Sequence, residues 1–384
     1  MTVYECPECR IQSPVSALTW CCPKCRGPWD LAFTSAPVPL ASLGSRVNSL
    51  WRYAEALPSL PYGPEVSLGE GRTPLVRLAT SATAPDTGSN TGSDPGTGSV
   101  AAKLDFLMPT LSFKDRGAVM LAAHARALGP RTVLADSSGN AGTAIAAYGA
   151  RAGLDCVVYV PEGTSPKKLE QIRAHGARIV EVPGDREATA RAAREAAGEP
   201  GVFYASHVYN PYFLHGTKTY VYELWEELGG RLPETIVVPV GNGTLLLGAA
   251  LAVEELYGHG LIGTRPALVA VQAEAVSPLA EAFHAGAEDL TEPAAARPTL
   301  AEGIAIPAPP RARQILRAVR ATGGTFLTVT EEQIRSAQKD LARRGLFVEA
   351  TGVACWAAVS AAPPRPGLTV VPLCGAGAKT GLAP

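Results

Sequence analysis

Charge of either sign is nearly balanced in this 384-residue chain, whose formal net charge is −1. That balance gives no global attraction to nucleic acid or to an anionic membrane surface. Long apolar runs are lacking too, and none approaches the roughly 20 residues that a bilayer span requires. The opening MTVYECPECR has none of the basic-then-apolar layout of a secretory leader. No internal repeat of fixed period is visible. The expectation is a soluble, cytoplasmic protein without a membrane or nucleic-acid partner. What is present excludes wholesale disorder: 46% of residues are hydrophobic and 18% charged, close to ordinary globular usage. At roughly 100 to 200 residues per domain, the length calls for two or three domains.

Eight cysteines are many for a reducing compartment, where disulfide frameworks are rare. Five fall within the first 25 residues: Cys6, Cys9, Cys21, Cys22 and Cys25. Cys6-Pro7-Glu8-Cys9 and Cys22-Pro23-Lys24-Cys25 form two C-x-x-C pairs twelve residues apart. Two such thiolate pairs complete a tetrahedron around Zn²⁺. Cys21 has the wrong spacing, although it could exchange with Cys22. Redox C-x-x-C pairs normally open a helix after a strand, whereas prolines inside both pairs and Gly27-Pro28 behind them favour tight knuckles. The expected element is a zinc ribbon over 1–35, with Cys6, Cys9, Cys22 and Cys25 as ligands. Arg10, Trp20, Lys24, Arg26 and Trp29 would serve a nucleic-acid role only weakly.

Residues 36–71 are irregular and rich in Pro and Leu, and 79–99 are small, polar and free of aromatics. The latter cannot bury enough surface to offset the entropy of ordering, so a disordered loop insertion is expected between strands at 75–78 and 100–105. From Ser112 onward short β-rich runs alternate with Ala-rich helical stretches. Strands are expected at 132–135, 156–160, 178–182, 235–240, 267–272, 325–329 and 368–373. Helices are expected at 116–128, 141–152, 166–175, 185–197, 216–228, 245–257, 311–321, 331–344 and 353–361. This alternation implies βαβ units and parallel sheets, in which ligands gather beyond the carboxyl ends of strands.

Two strand-to-helix junctions carry small residues, Ser137-Ser138-Gly139-Asn140-Ala141-Gly142 and Gly241-Asn242-Gly243-Thr244. Backbone N–H groups converging at a helix start favour phosphate or carboxylate, though such turns also serve plain tight packing. Neither G-x-x-x-x-G-K-[ST] nor G-x-G-x-x-G is present. A third junction, Leu111-Ser112-Phe113-Lys114-Asp115-Arg116-Gly117, begins an apolar helix with a lysine. The chain holds only eight lysines against 26 arginines. Lys114 is then either a solvated first-turn residue paired with Asp115, or an amine whose pKa is lowered by burial and which attacks a carbonyl.

Together these residues resemble the threonine synthase family of pyridoxal phosphate (PLP) enzymes, with the tryptophan-synthase-β-like fold. The landmarks are EGRTPLVRL (70–78), SFKDRG (112–117), SSGNAG (137–142), YVPEGTSPKKLEQIRAHGA (159–177), NPYFLHGTKT (210–219), VVPVGNGT (237–244) and PLCGAGAKT (372–380). The resemblance implies fold type II: two open three-layer α/β domains with parallel sheets and the cofactor in the cleft between them, behind the small zinc ribbon. It implies a large domain from 36–110 and 216–384, a small domain over 111–215, and a homodimer. Lys114 would hold PLP and move the Cα proton, flanked by Phe113. Asn140 would bond the ring hydroxyl, Ser137, Ser138 and Gly139 the substrate carboxylate, and Gly241, Asn242, Gly243, Thr244 and Leu245 the phosphate. Cys374 stands where the family usually has Thr or Ser facing the pyridine nitrogen. A thiol there, unlike a carboxylate, does not hold that nitrogen protonated, which favours loss of a β or γ leaving group over racemisation.

The chain departs from the family at the substrate side. Phe213 replaces the usual Arg, His215 and Thr217 the usual Glu and Gln, Ala141 a frequent Thr, Leu111 a frequent Gly, and AGAK the commoner HGLK. In the family that Arg and Thr help bind the phosphate of O-phosphohomoserine. Phe213, Ala141 and His215 are therefore the residues expected to set the substrate, with Arg116 or His215 as substitute donors; the plainer reading of His215 is a capping or hydrogen-bonded histidine at a helix start. The expected activity is β/γ-elimination or replacement on an amino acid. A serine/threonine dehydratase-like or specialised biosynthetic β-lyase is the alternative, and a non-catalytic PLP or amino-acid sensor a distant one.

Overall fold

A computed structural model describes residues 2–382 apart from 17, 80–97, 296 and 363–365. The expected insertion at 79–99 thus falls almost entirely outside the described residues. Thirteen strands are described: β1 (Val3–Glu5), β2 (Gln12–Pro14), β3 (Asp30–Ala32), β4 (Leu75–Leu78), β5 (Ser99–Lys103), β6 (Thr132–Ala135), β7 (Cys156–Pro161), β8 (Arg178–Val182), β9 (Val202–Tyr204), β10 (Thr235–Pro239), β11 (Ala267–Ala273), β12 (Thr325–Val329) and β13 (Leu368–Pro372). The chain divides into two compact units, Met1–Gly71 with Met108–Thr219, and Arg72–Leu107 with Tyr220–Pro384.

In the first unit a parallel sheet runs in the order β8-β7-β6-β9. β6, β7 and β9 are largely buried apolar runs, as strands covered by crossover helices require, while the edge strand β8 is partly exposed. The helices Lys114–Leu128 and Asn140–Ala152 end on Gly129 and Gly153, each in the left-handed conformation that glycine adopts without steric cost. The ribbon is a small antiparallel sheet, β2-β1-β3. Contrary to the expected boundaries, 36–71 join this unit rather than the large domain. The reason is packing: Leu50, Trp51, Leu57 and Val66 share one apolar cluster with Val119 and Met120 of the Lys114 helix, and Tyr4, Cys6, Cys22 and Trp29 of the ribbon belong to it as well.

In the second unit the sheet order is β12-β11-β10-β13-β5-β4, parallel except for the antiparallel edge strand β4. Lys103, fully buried at the end of β5, pairs with Glu223 at 3.0 Å and Glu227 at 2.8 Å, and also donates to the Thr73 carbonyl. One long expected helix, 216–228, is two, Tyr212–Thr217 and Thr219–Glu227. The Thr217 and Thr219 hydroxyls donate to the carbonyls of Leu214 and Gly216 at 3.1 and 2.7 Å, a local competition that unsettles a helix. β9 and the helices Gly63–Val66 and Pro278–His284 were not expected from the sequence. All three are short, between three and seven residues.

Candidate active site

In the first unit the candidate residues lie in loops and helix starts at the carboxyl edge of its sheet. β6 and β9 are parallel neighbours, so the loops that follow them, 136–139 and 205–211, leave the sheet on the same side. Lys114 opens its helix half-buried, with Nζ 4.5 Å from the Phe113 ring centroid and 5.6 Å from that of Phe213. The approach loop is pinned by Asp115, whose buried carboxylate accepts from the Thr110 N–H at 2.6 Å and from the Thr110 hydroxyl. Leu111, with φ +64°, occupies the left-handed region, costing about 1–2 kcal/mol for a non-glycine residue. That accounts for the glycine usual at this position. The Ser112 hydroxyl is buried with no hydrogen-bond partner among the described residues. Asn140 is the first residue of its helix, Ser137 and Ser138 are half-buried, Gly139 is exposed and Ala141 is buried. Gly142 is obligatory, because a Cβ there would overlap the Ser137 carbonyl oxygen.

Two glycines about a hundred residues apart lock the Lys114 turn to the helix Tyr212–Thr217. Phe213 lies fully buried against Gly117, and Gly216 sits so close to the Arg116 carbonyl that either glycine would clash with its neighbour if given a Cβ. The Arg116 guanidinium is buried and donates to Thr219 Oγ1 at 3.2 Å. Phe213 and His215 part company on this short helix. Phe213 faces Lys114, whereas His215 meets the Phe33 ring edge-on at 5.4 Å. His215 is 3% exposed, and its Nδ1 has no hydrogen-bond partner among the described residues. Burial, and then the Lys218 charge, push its imidazole well below the usual histidine range.

The second unit presents its own set at the carboxyl ends of the parallel neighbours β10 and β13. Gly241 precedes the helix Thr244–Gly258, and a Cβ on it would come within 2.8 Å of Ile304 Cα. Gly243 has φ +71° and lies on the Ile315 side chain. Asn242 is half-buried, and Thr244 and Leu245 are buried in the first turn. Cys374 follows β13 at 2% exposure. Beside it Gly375 leaves room for the buried Glu349 carboxylate, and the Glu349 N–H donates to the Gly375 carbonyl at 2.9 Å.

The four ribbon cysteines Cys6, Cys9, Cys22 and Cys25 bring their sulfurs within 4.8 Å of one another. The Cys6 and Cys25 sulfurs are 3.5 Å apart, and backbone N–H groups of Cys9 and Gly27 point at Cys6 and Cys25 Sγ at 3.3 and 3.4 Å. A ZnS₄ tetrahedron with Zn–S bonds of about 2.3 Å has edges of about 3.8 Å, so the group fits this cluster. Cys21 is buried outside it.

A family model described as pyridoxal-phosphate dependent enzyme matches residues 66–375. The threonine synthase of Methanosarcina acetivorans is 32% identical over 354 residues, covering 91% of this chain and 84% of that protein. The chain belongs to the threonine synthase family of pyridoxal-phosphate-dependent enzymes. Among solved structures, a threonine deaminase from T.th. is 30% identical with a TM-score of 0.62, covering 74% of this chain and 89% of that one. O-ureido-L-serine synthase, at 22% identity, shares the fold with a TM-score of 0.65 over 84% of this chain and 93% of that one. The two α/β units are those of fold type II, and the protein is a PLP-dependent lyase of the elimination-or-replacement kind.

Sequence reasoning about this PLP-dependent lyase passed over two residues. Glu349 lacks any strand-to-helix motif and reaches Gly375 only through tertiary packing. His207 belongs to the 205–211 loop and lies edge-on to Phe213, with ring centroids 5.7 Å apart. The signal for it was the three-residue β9, whose carboxyl end would have marked that loop had the strand been recognised.

Proposed function

We propose that Lys114 holds the cofactor and that the enzyme expels an oxygen-linked group from the β- or γ-carbon of an amino acid whose side chain carries no phosphate. When bound, PLP withdraws electrons from Cα and weakens its bond to hydrogen. Lys114 suits the amine role by its place at the start of its helix, with Nζ 4.5 and 5.6 Å from the Phe113 and Phe213 ring centroids, and once it gives up its proton the amine is a nucleophile toward a carbonyl. Lys103, by contrast, is committed to two carboxylates. Displaced by the substrate amine, Lys114 would take the Cα proton; an oxygen on the β-carbon would then leave with the electron pair of its bond to carbon, whereas one on the γ-carbon would leave only after a proton is also removed from the β-carbon. N–H groups of the 137–139 turn would grip the substrate carboxylate and Asn140 the ring hydroxyl. The stretch Gly241-Asn242-Gly243-Thr244-Leu245 fits a phosphate cradle, since it leads into the N-terminus of the helix Thr244–Gly258, whose free N–H groups and positive end favour an anion. Cys374 would face the ring nitrogen as a thiol. The ribbon cysteines would hold a structural Zn²⁺, and a cytoplasmic homodimer completes the proposal, resting on the family likeness.

Phe213 carries the substrate reading. A fully buried ring seated on Gly117 and beside Lys114 stands where the family usually has a phosphate-binding Arg. Each missing charge-assisted hydrogen bond is worth about 1.5–3 kcal/mol, so a dianionic phosphate is under-paired here by a factor of at least about 10. In a panel of serine, threonine, homoserine, their O-acetyl esters and O-phosphohomoserine, kcat/KM for O-phosphohomoserine should lie at least about 10-fold below the best unphosphorylated substrate. Efficient conversion of O-phosphohomoserine to threonine would overturn the reading. The likeness to a threonine deaminase favours, as a second reading, plain elimination to a 2-oxo acid, which the same panel detects as keto-acid release without threonine formation.

A further inference from the structure

Among the described residues, His207 is the one imidazole against the ring that Lys114 faces. Its own ring meets Phe213 edge-on at 5.7 Å, and Lys114 Nζ stands 5.6 Å from the same Phe213 centroid. Ser206 and Val208 on either side are buried, yet His207 keeps part of its surface open. No hydrogen bond joins either of its ring nitrogens to the described residues. The cations whose charge acts on it are Lys114 and Arg186. Arg186 is itself paired with Asp136 at 2.8 Å. Burial first, then these two cations, hold the imidazole well below the usual histidine range. It is therefore uncharged at neutral pH, able to donate through one nitrogen and accept through the other.

We infer that His207 is a specificity-determining residue that contacts the substrate, one ring N–H donating to the oxygen on its β- or γ-carbon. This rests on the elimination reading above and narrows it. A hydroxyl or neutral ester oxygen is matched by a neutral donor. A phosphate dianion would meet an uncharged imidazole and the Phe213 ring, and the Arg186 guanidinium is already paired with Asp136 at 2.8 Å. A site built to hydrogen-bond a substrate oxygen rejects the analogue lacking it far more strongly than an apolar pocket rejects a change of shape.

The test uses purified holoenzyme and pairs of amino acids that differ by one oxygen: serine with alanine, threonine with 2-aminobutyrate, homoserine with 2-aminobutyrate. Binding is read from the change in bound-cofactor absorption, and turnover from product release. His207→Leu should weaken binding of the preferred oxygen-bearing amino acid at least about 10-fold while leaving its deoxy partner within about two-fold. His207→Gln, which keeps an N–H donor, should recover most of the difference. An equal loss for both members of a pair marks a structural role and overturns the inference, as does wild-type discrimination in His207→Leu. Should His207→Leu lose the cofactor, His207→Gln decides: discrimination kept supports the inference, and discrimination abolished with cofactor retained contradicts it. If the wild-type enzyme acts on no oxygen-bearing member of the panel, the elimination reading itself fails, an outcome separate from a failure of His207.

Discussion

Gly216 shows how much of the site depends on atoms that are missing. Its Cα lies so near the Arg116 carbonyl that a methyl group has nowhere to go, and the obstacle is backbone rather than a flexible side chain. Gly216→Ala should therefore cost at least about 3 kcal/mol, the upper range for overpacking, and should displace Phe213 from Lys114. Chemical denaturation together with cofactor absorption would check this; unchanged stability with intact absorption would contradict it. At this scale the positions of Lys114, Asn140 and Thr244 at helix starts were legible, because a linear reading locates where an apolar or Ala-rich helical run begins. Contacts made by packing were not. Nothing in the sequence tells that Gly117 receives Phe213, that His215 turns to Phe33, or that His207 meets the Phe213 ring.

Among elements, the ribbon is bound to the helices that carry the site. The Tyr4 hydroxyl of β1 bonds His124 Nε2 at 2.8 Å, and His124 stacks on Tyr212 with centroids 4.1 Å apart. His124 lies on the helix begun by Lys114, and Tyr212 begins the helix that carries Phe213. Burial lowers the His124 pKa to about 4. Between pH 6.5 and 4 the unfolded chain thus binds a proton that the folded one does not, so stability falls as the solution is acidified through that window. The full effect is about 3 kcal/mol. In His124→Asn the unfolding free energy should be lower at pH 7 but flatter from about pH 6.5 to about 4, and curves parallel to wild type would contradict the role assigned to this buried pair. Long elements with clear periodicity were readable to within a few residues. Three-residue strands and the threonine-broken helix were not, since so short a stretch holds less than one period of any pattern.

For the whole molecule, composition excluded a charged or bilayer-spanning design, and among the described residues no helix is long and apolar enough to cross a membrane. Alternating strands and helices revealed the α/β architecture, while the division into units was misjudged over 36–71. That segment has no regular period, and its place is decided by where Leu50, Trp51 and Val66 find apolar partners. Catalysis is proposed to hinge on one lysine among eight in the chain. Two of the others, Lys103 and Lys218, are fully buried, the first in paired carboxylates and the second with Nζ 5.3 Å from the Phe33 ring centroid. The most direct measurement is borohydride reduction of the intact holoenzyme, followed by whole-protein mass and peptide mapping. One cofactor per chain, attached to Lys114 alone and lost with its visible absorption in Lys114→Ala, is the result expected. Label on Lys103, Lys218 or Lys379, or cofactor retained covalently by Lys114→Ala, would contradict the assignment.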